Sequence, residues 1–330
     1  ASAPLRSRGV RLAVAHQRRH RVGIGDRGDQ RVVRTRAGIV QFARRREFEG
    51  EVIVGEHPRA LGERGVLHFP NQPIDATSLK RFSERFGTLQ VIGGLQFHEP
   101  GMPEVTILSN IVENGRAIGL ADAGQSWHTD MTYNTTVGFV NVLVAHRVPM
   151  RDGKPRGGTE FTNTHAAYDD LPAGIKTKLA DAVALHDWNK FHELMRSKGS
   201  KRPPLSEAQR QQRPPVPHPV FLTHPISGRK VIYVNPGFTV KIIGMSDAES
   251  HDTLEYLYAH VLQPKYRYTH HWTVGDVLVW DHLGTWHCAL ADYAPNELRL
   301  MKRCQVLADK VFDPVFMQAI KGTLNAQAAA

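Results

Sequence analysis

Cysteine is nearly missing from this chain of 330 residues: Cys288 and Cys304 are the only two. A disulfide framework is therefore not expected, and a reducing cytoplasm is the simplest home. Long apolar runs are missing as well. No stretch approaches the roughly 18 to 20 uninterrupted apolar residues that a membrane span needs, and Ala1 to Val10 lacks the apolar middle of a secretory signal. Neither a membrane nor an export route is expected. Lysine does not occur before Lys80. The first fifty residues instead hold thirteen arginines against Asp26, Asp29, Glu47 and Glu49, so nearly all of the formal charge of +10 sits in that one stretch. The high pI describes a segment rather than the molecule, and nucleic acid is not the expected partner of the bulk of the chain.

Residues 1–63 lack sustained helical or strand periodicity. Three readings are open: a disordered basic arm, an irregular folded part of the domain, or a stretch outside the natural reading frame. A G+C-rich gene read out of frame gives Arg, Ala, Gly and Val without Lys. From Arg64 onward the pattern is ordinary. Residues 65–69 read as a strand and residues 75–86 as a helix capped by Thr77 or Ser78. Strands follow at 105–111 and 137–148. The run from His165 to Met195 reads as helical, residues 197–219 as a long Pro-rich loop or lid, and residues 246–262 as a helix with a capping box at Ser246 and Glu249. Further strands fall at 220–222, 230–234, 267–272, 276–281 and 299–307. Many short strands, a few inserted helices and no βαβ alternation predict a mainly β fold, a sandwich or jelly roll with ligands at its mouth. The domain expected is 64–312, followed by a tail over 313–330.

The sharpest chemical feature is Trp127-His128-Thr129-Asp130, the one His-x-Asp in the chain. On a strand, residues i and i+2 share a face, so His128 and Asp130 can hold one metal from one side. His287 is the third candidate ligand. Two histidines and one carboxylate on a β scaffold make the facial set used by non-haem Fe(II) oxygenases, with vacant positions for a bidentate 2-oxo acid and for O₂. Zinc would accept the same ligands. Downstream, alternation puts Arg299, Met301 and Arg303 on one face, and two inward arginines beside a metal form a site for carboxylate or sulfonate. Tyr133, Phe238 and His98 are candidates to line a substrate pocket, with plain core roles equally open. His270 and His271 read as strand surface and core rather than as a second metal site, and Cys288, next to a ligand, as turned away into core.

These stretches, with Gly157-Gly158-Thr159-Glu160-Phe161, Thr223-His224-Pro225, Tyr233 to Phe238, Trp280-Asp281 and Ala291-Asp292-Tyr293, resemble the taurine dioxygenase and 2,4-dichlorophenoxyacetate dioxygenase family of Fe(II)/2-oxoglutarate enzymes. The resemblance covers residues 64–310. It implies a double-stranded β-helix (the clavaminate synthase-like jelly roll) and iron held by His128, Asp130 and His287. It also implies 2-oxoglutarate held by Arg299 with Thr159, and Arg303 near the anionic group of a small organic substrate. It further implies O₂-dependent hydroxylation that releases succinate and CO₂, with C–O or C–S cleavage where the hydroxylated carbon bears a heteroatom. Homodimers and homotetramers are common in the family. The chain departs from the pattern at 121–126, where the asparagine of taurine dioxygenases is missing, and at the Gly157-Gly158-Thr159 loop, which is one residue short. The competing reading is a non-catalytic or zinc-filled jelly-roll binding protein with a basic nucleic-acid-binding arm.

Overall fold

The computed structural model describes residues 40–41, 56–92, 96–200 and 203–313. The expectations for residues 1–39, for 42–55 and for the tail beyond Asp313 lie outside the described residues.

The strands assemble into one large sheet and several small ones. In the large sheet the order is Val40–Gln41, Val66–Phe69, Val277–Asp281, Gly138–Arg147, Leu300–Leu307, Met102–Ser109 and His98–Glu99. Among these, Val40–Gln41 joins Leu67 and His68 in parallel, and the remaining pairings are antiparallel. A three-stranded sheet of Arg267–His270, Thr159–Asn163 and Thr285–Ala289 belongs to the facing layer.

The central strand Gly138–Arg147 shows why the layers form. Its β-branched and aromatic run suits a strand buried on both faces. Val140, Val142 and Val144 enter a cluster with Leu79, Phe82 and Phe86, residues of the Ala76–Ser83 helix and the turn that follows it. Leu143 and Ala145 enter the opposite cluster with Phe161, Trp272, Trp280 and Met301. Burial of one such large side chain is worth roughly 1.5–3 kcal/mol. The space between the layers therefore holds the odd-numbered face of this strand, which includes the fully buried Asn141.

Several expectations change. The Ala76–Ser83 helix is capped by Asp75, whose carboxylate accepts from Ser78 N–H at 2.7 Å, rather than by Thr77 or Ser78. The helical run expected over 165–195 is broken into Thr164–Asp169, Ala173–Lys178, a strand Val183–His186 and Trp188–Ser197. Pro172 explains the first break, because it disfavours helical geometry at Leu171 and opens the next helix. The strand forms because Val183–His186 is sandwiched between Val216–Pro219 and Thr239–Ile242. The 197–219 loop carries its own short helix, Glu207–Gln211, with Ser206 and Gln209 capping reciprocally. The helix Glu56–Arg64 runs across the expected 63/64 boundary and places Leu61, fully buried, in the core.

Candidate active site

The His-x-Asp motif does not lie in a regular strand. His128 makes one antiparallel bridge with His287, through 3.1 Å and 2.8 Å backbone hydrogen bonds, and the chain then turns at once. Met131, immediately after Asp130, has φ of +62° although it carries a full side chain. That left-handed residue re-aims the chain after Asp130 and is held by complete burial. The bridge, not strand alternation, brings the three groups together.

His128 Nε2 lies 3.4 Å from Asp130 Oδ1, and His287 Nε2 lies 3.7 Å from Asp130 Oδ2. The two imidazole rings are 4.2 Å apart. All three side chains are buried, and their ligand atoms lie within 4.8 Å of one another. His128 Nδ1–H donates to the Ser126 carbonyl at 2.7 Å, which leaves the Nε2 lone pair free for a metal. Burial holds His287 well below the usual histidine range, so its ring is neutral and able to ligate. Burial alone would raise the Asp130 carboxyl, but His128, Arg303 and His287 outweigh it and keep the group well below the usual carboxylate range. Asn141 reaches Asp130 Oδ2 with its amide at 3.5 Å. This donor set fits one divalent metal with open positions.

Arg303 comes to the same place, its Nη1 3.5 Å from Asp130 Oδ2. Arg299 is buried deeper, and among the described residues its Nε has no hydrogen-bond partner. Its backbone is fixed by Asn110 and Ser109. Burial lowers the Arg299 pKa, the sign of a cation held away from water. Gly157 packs on the Arg299 side chain and the Tyr293 ring so closely that a Cβ there would stand 3.1 Å from the ring; its φ of +66° also favours glycine. Thr159 opposes Ala289, two residues beyond His287, and its hydroxyl accepts from Trp272 Nε1 at 3.0 Å. A buried guanidinium whose Nε is unpartnered among the described residues is the observation that fits a bound carboxylate.

Phe238 and Tyr133 meet at 4.7 Å, and Phe238 stands 6.0 Å from the His128 ring. His98 is farther out. It opposes Thr106, which opposes Arg303, so it sits two strand spacings (about 10 Å) from that arginine. Cys288 is half-buried rather than core, and burial raises its thiol to about 11.

Sequence reading missed Phe191, whose ring lies 5.1 Å from His128 and 4.9 Å from Phe238. It also missed Asn141, although this is the one polar residue between Val137 and Ala145. His282 was quoted only as part of a motif. It is fully buried, with neither ring nitrogen hydrogen-bonded, and burial lowers it to about 4.

Comparison with known proteins agrees with this geometry. Residues 32–305 match the family described as taurine catabolism dioxygenase TauD, TfdA family, so the match begins inside the arginine-rich segment. Pentalenolactone F synthase of Streptomyces arenae is 32% identical over 239 residues, 71% of this chain and 79% of that protein. The alpha-ketoglutarate-dependent 2,4-dichlorophenoxyacetate dioxygenase of Cupriavidus pinatubonensis is 30% identical over 279 residues, 81% and 92% of the two chains. Among solved structures, AAD-2 in complex with Mn(II) and N-oxalylglycine superposes with a TM-score of 0.67 at 25% identity, covering 84% of this chain and 96% of that one. A putative alpha-ketoglutarate dependent 2,4-D dioxygenase from Burkholderia xenovorans gives 0.66 at 25%, covering 83% and 95%. The mainly β jelly roll, the Fe(II), 2-oxoglutarate and O₂ dependence and the enzymatic rather than binding role follow, and the chain belongs to the TauD/TfdA family of alpha-ketoglutarate-dependent dioxygenases.

Proposed function

We propose that this dioxygenase hydroxylates a small organic anion (a carboxylate, sulfonate or sulfate), with His128, Asp130 and His287 as the iron ligands. In this reading Arg299 and Thr159 receive the distal carboxylate of 2-oxoglutarate, and Arg303 receives the anionic group of the substrate. The observation that carries it is Arg299, a buried cation whose Nε lacks a partner among the described residues, a vacancy that an anion would complete.

Bound iron, with 2-oxoglutarate and O₂, supplies the oxidation that places one oxygen on a substrate C–H and the other in succinate, with release of CO₂. The chain supplies position and dryness. Asp130 and the two imidazoles fix the metal on one side and leave the other side open. Arg303 is part-buried, and among the described residues its Nε has no hydrogen-bond partner and Asp130 is its one ion-pair contact. When Asp130 shares its charge with a cation, that guanidinium is free to take a substrate anion. Phe191, Phe238 and Tyr133 make an apolar wall beside His128 and favour a substrate with a hydrophobic body. Where the hydroxylated carbon bears oxygen or sulfur, the product collapses with C–O or C–S cleavage.

The test is anaerobic addition of Fe(II) and 2-oxoglutarate, read by the visible charge-transfer band of the chelate. The band should form in the native protein and vanish in His287→Ala. Iron binding without a band would reject the 2-oxo acid site. Succinate release across aryloxy acids, sulfonates and alkyl sulfates, each against its neutral analogue, tests the anion assignment.

A further inference from the structure

A second set of two histidines and one carboxylate lies at the seam between the layers. His68 sits on the Val66–Phe69 strand of the large sheet, His270 ends the Arg267–His270 strand of the small one, and Asp276 precedes Val277. We propose that His68, His270 and Asp276 bind a divalent cation of the zinc type, a structural site separate from the iron ligands and independent of the dioxygenase reading.

Geometry carries the proposal. His68 Nε2 is 3.0 Å from Asp276 Oδ1, and His270 Nε2 is 3.3 Å from Asp276 Oδ2. The rings meet edge to face at 4.6 Å. The three donor atoms lie within 4.8 Å of one another. Tetrahedral zinc with bonds of about 2.0–2.1 Å places its donors about 3.4 Å apart, close to these separations.

A carboxylate that simply accepts from two imidazoles is the competing account. Its hydrogen bonds are not aligned, for among the described residues both Nε2 atoms are buried without a hydrogen-bond partner despite their closeness to the oxygens. His224 and Asp281 show the contrast. There, at the same 3.0 Å, Nε2–H donates in line to Oδ2, while Nδ1 accepts from Ile226 and Ser227 N–H. The seam cluster instead repeats the pattern at His128, Asp130 and His287, where two Nε2 atoms flank one carboxylate without an aligned bond.

The surroundings suit a cation. Tyr268 Oη is 3.4 Å from His270 Nδ1, where it can accept Nδ1–H and leave Nε2 for the metal. The His68 side chain is 12% exposed, which gives a path for entry and for a water ligand. The site would also support cosubstrate binding, because Trp272 packs against His270 at 4.8 Å and donates to Thr159.

The experiment uses tag-free full-length protein, stripped with chelator, loaded with Zn(II), freed of excess and assayed for metal per chain. The His128→Ala/His287→Ala double variant should keep one zinc per chain. Adding His270→Ala should bring it to none, and Co(II) in the double variant should show the strong visible bands of a four-coordinate site. Should the His270→Ala chain fail to fold, His68→Ala at the exposed rim makes the same comparison. A folded double variant that holds no zinc overturns the proposal, and so does zinc that survives both His68→Ala and His270→Ala.

Discussion

Arg303 Nη1 and Asp130 Oδ2 stand 3.5 Å apart, so the guanidinium expected to meet the substrate faces the carboxylate expected to hold the metal. Cation and guanidinium compete for one carboxylate, which couples metal loading to substrate capture. Replacing Arg303 by Gln should leave iron retention intact or improved. It should also cost the anionic substrate about 10- to 100-fold in kcat/KM, the worth of one charge-assisted hydrogen bond at about 1.5–3 kcal/mol. The neutral methyl ester of the same substrate should lose much less. Equal losses for acid and ester would remove Arg303 from the anion site.

Arg299 and Trp272 address the cosubstrate. Truncating one partner of a buried charge pair costs about 2–5 kcal/mol, so Arg299→Gln should weaken 2-oxoglutarate by about 30-fold or more. Trp272→Phe removes only the donor that orients the Thr159 hydroxyl. A neutral hydrogen bond is worth about 1 kcal/mol, so a loss of about fivefold is expected. Anaerobic titration of the charge-transfer band measures both. An unchanged half-saturation in Arg299→Gln would show that the cosubstrate carboxylate binds elsewhere.

Buried histidines set the acid limit of the metal-free protein. Burial lowers both His165 and His282 to about 4. The unfolded chain titrates near 6.5, so below that pH the unfolded state binds more protons than the native one. The stability these two rings contribute is complete above about pH 6.5 and drains away as pH falls towards 4, at up to about 1.4 kcal/mol per pH unit for each ring. Melting temperature should therefore drop steadily from pH 6.5 to 4.5. In His165→Gln the slope should be shallower by about one proton. An identical slope would mean that His165 is already protonated in the fold or never leaves water.

The candidate metal cluster of His128, Asp130 and His287, which the structure brings together, was legible because a lone His-x-Asp, a distant His and an arginine pair are chemical types at readable spacings. The elements that deliver them were less so. Regular strand alternation was the wrong warrant for His128 and Asp130: His128 sits in a single bridge to His287, and the chain turns at once at Asp130 and the left-handed Met131. The expected 165–195 helix failed because tertiary pairing of Val183–His186 overrode local propensity. Phe191 escaped notice since an apolar residue on an amphipathic helix reads as core wherever that helix lies. The His68, His270 and Asp276 cluster was not read, because His68 comes from a strand far away in sequence and His270 reads as strand surface or core.

The last prediction concerns the loop behind His128. Asn235-Pro236-Gly237-Phe238 passes so close that a Cβ on Gly237 would stand 2.7 Å from His128 Cβ and 3.3 Å from Phe191 Cδ2. Ordinary contacts do not reach 2.7 Å, so an added methyl must push the imidazole or lift the loop. Metal ligands tolerate only about half an ångström of error. Gly237→Ala should therefore fold, with Asn235 still capping the turn through Phe238 N–H, but lose about tenfold or more in iron affinity. Gly174→Ala is the control, since nothing lies within 4 Å of the Cβ it would add in the Ala173–Lys178 helix. That variant should bind iron normally and be no less stable, as alanine favours a helix over glycine. Native iron affinity in Gly237→Ala would show that the loop yields instead of the ligand, and that His128 is placed by its bridge to His287 alone.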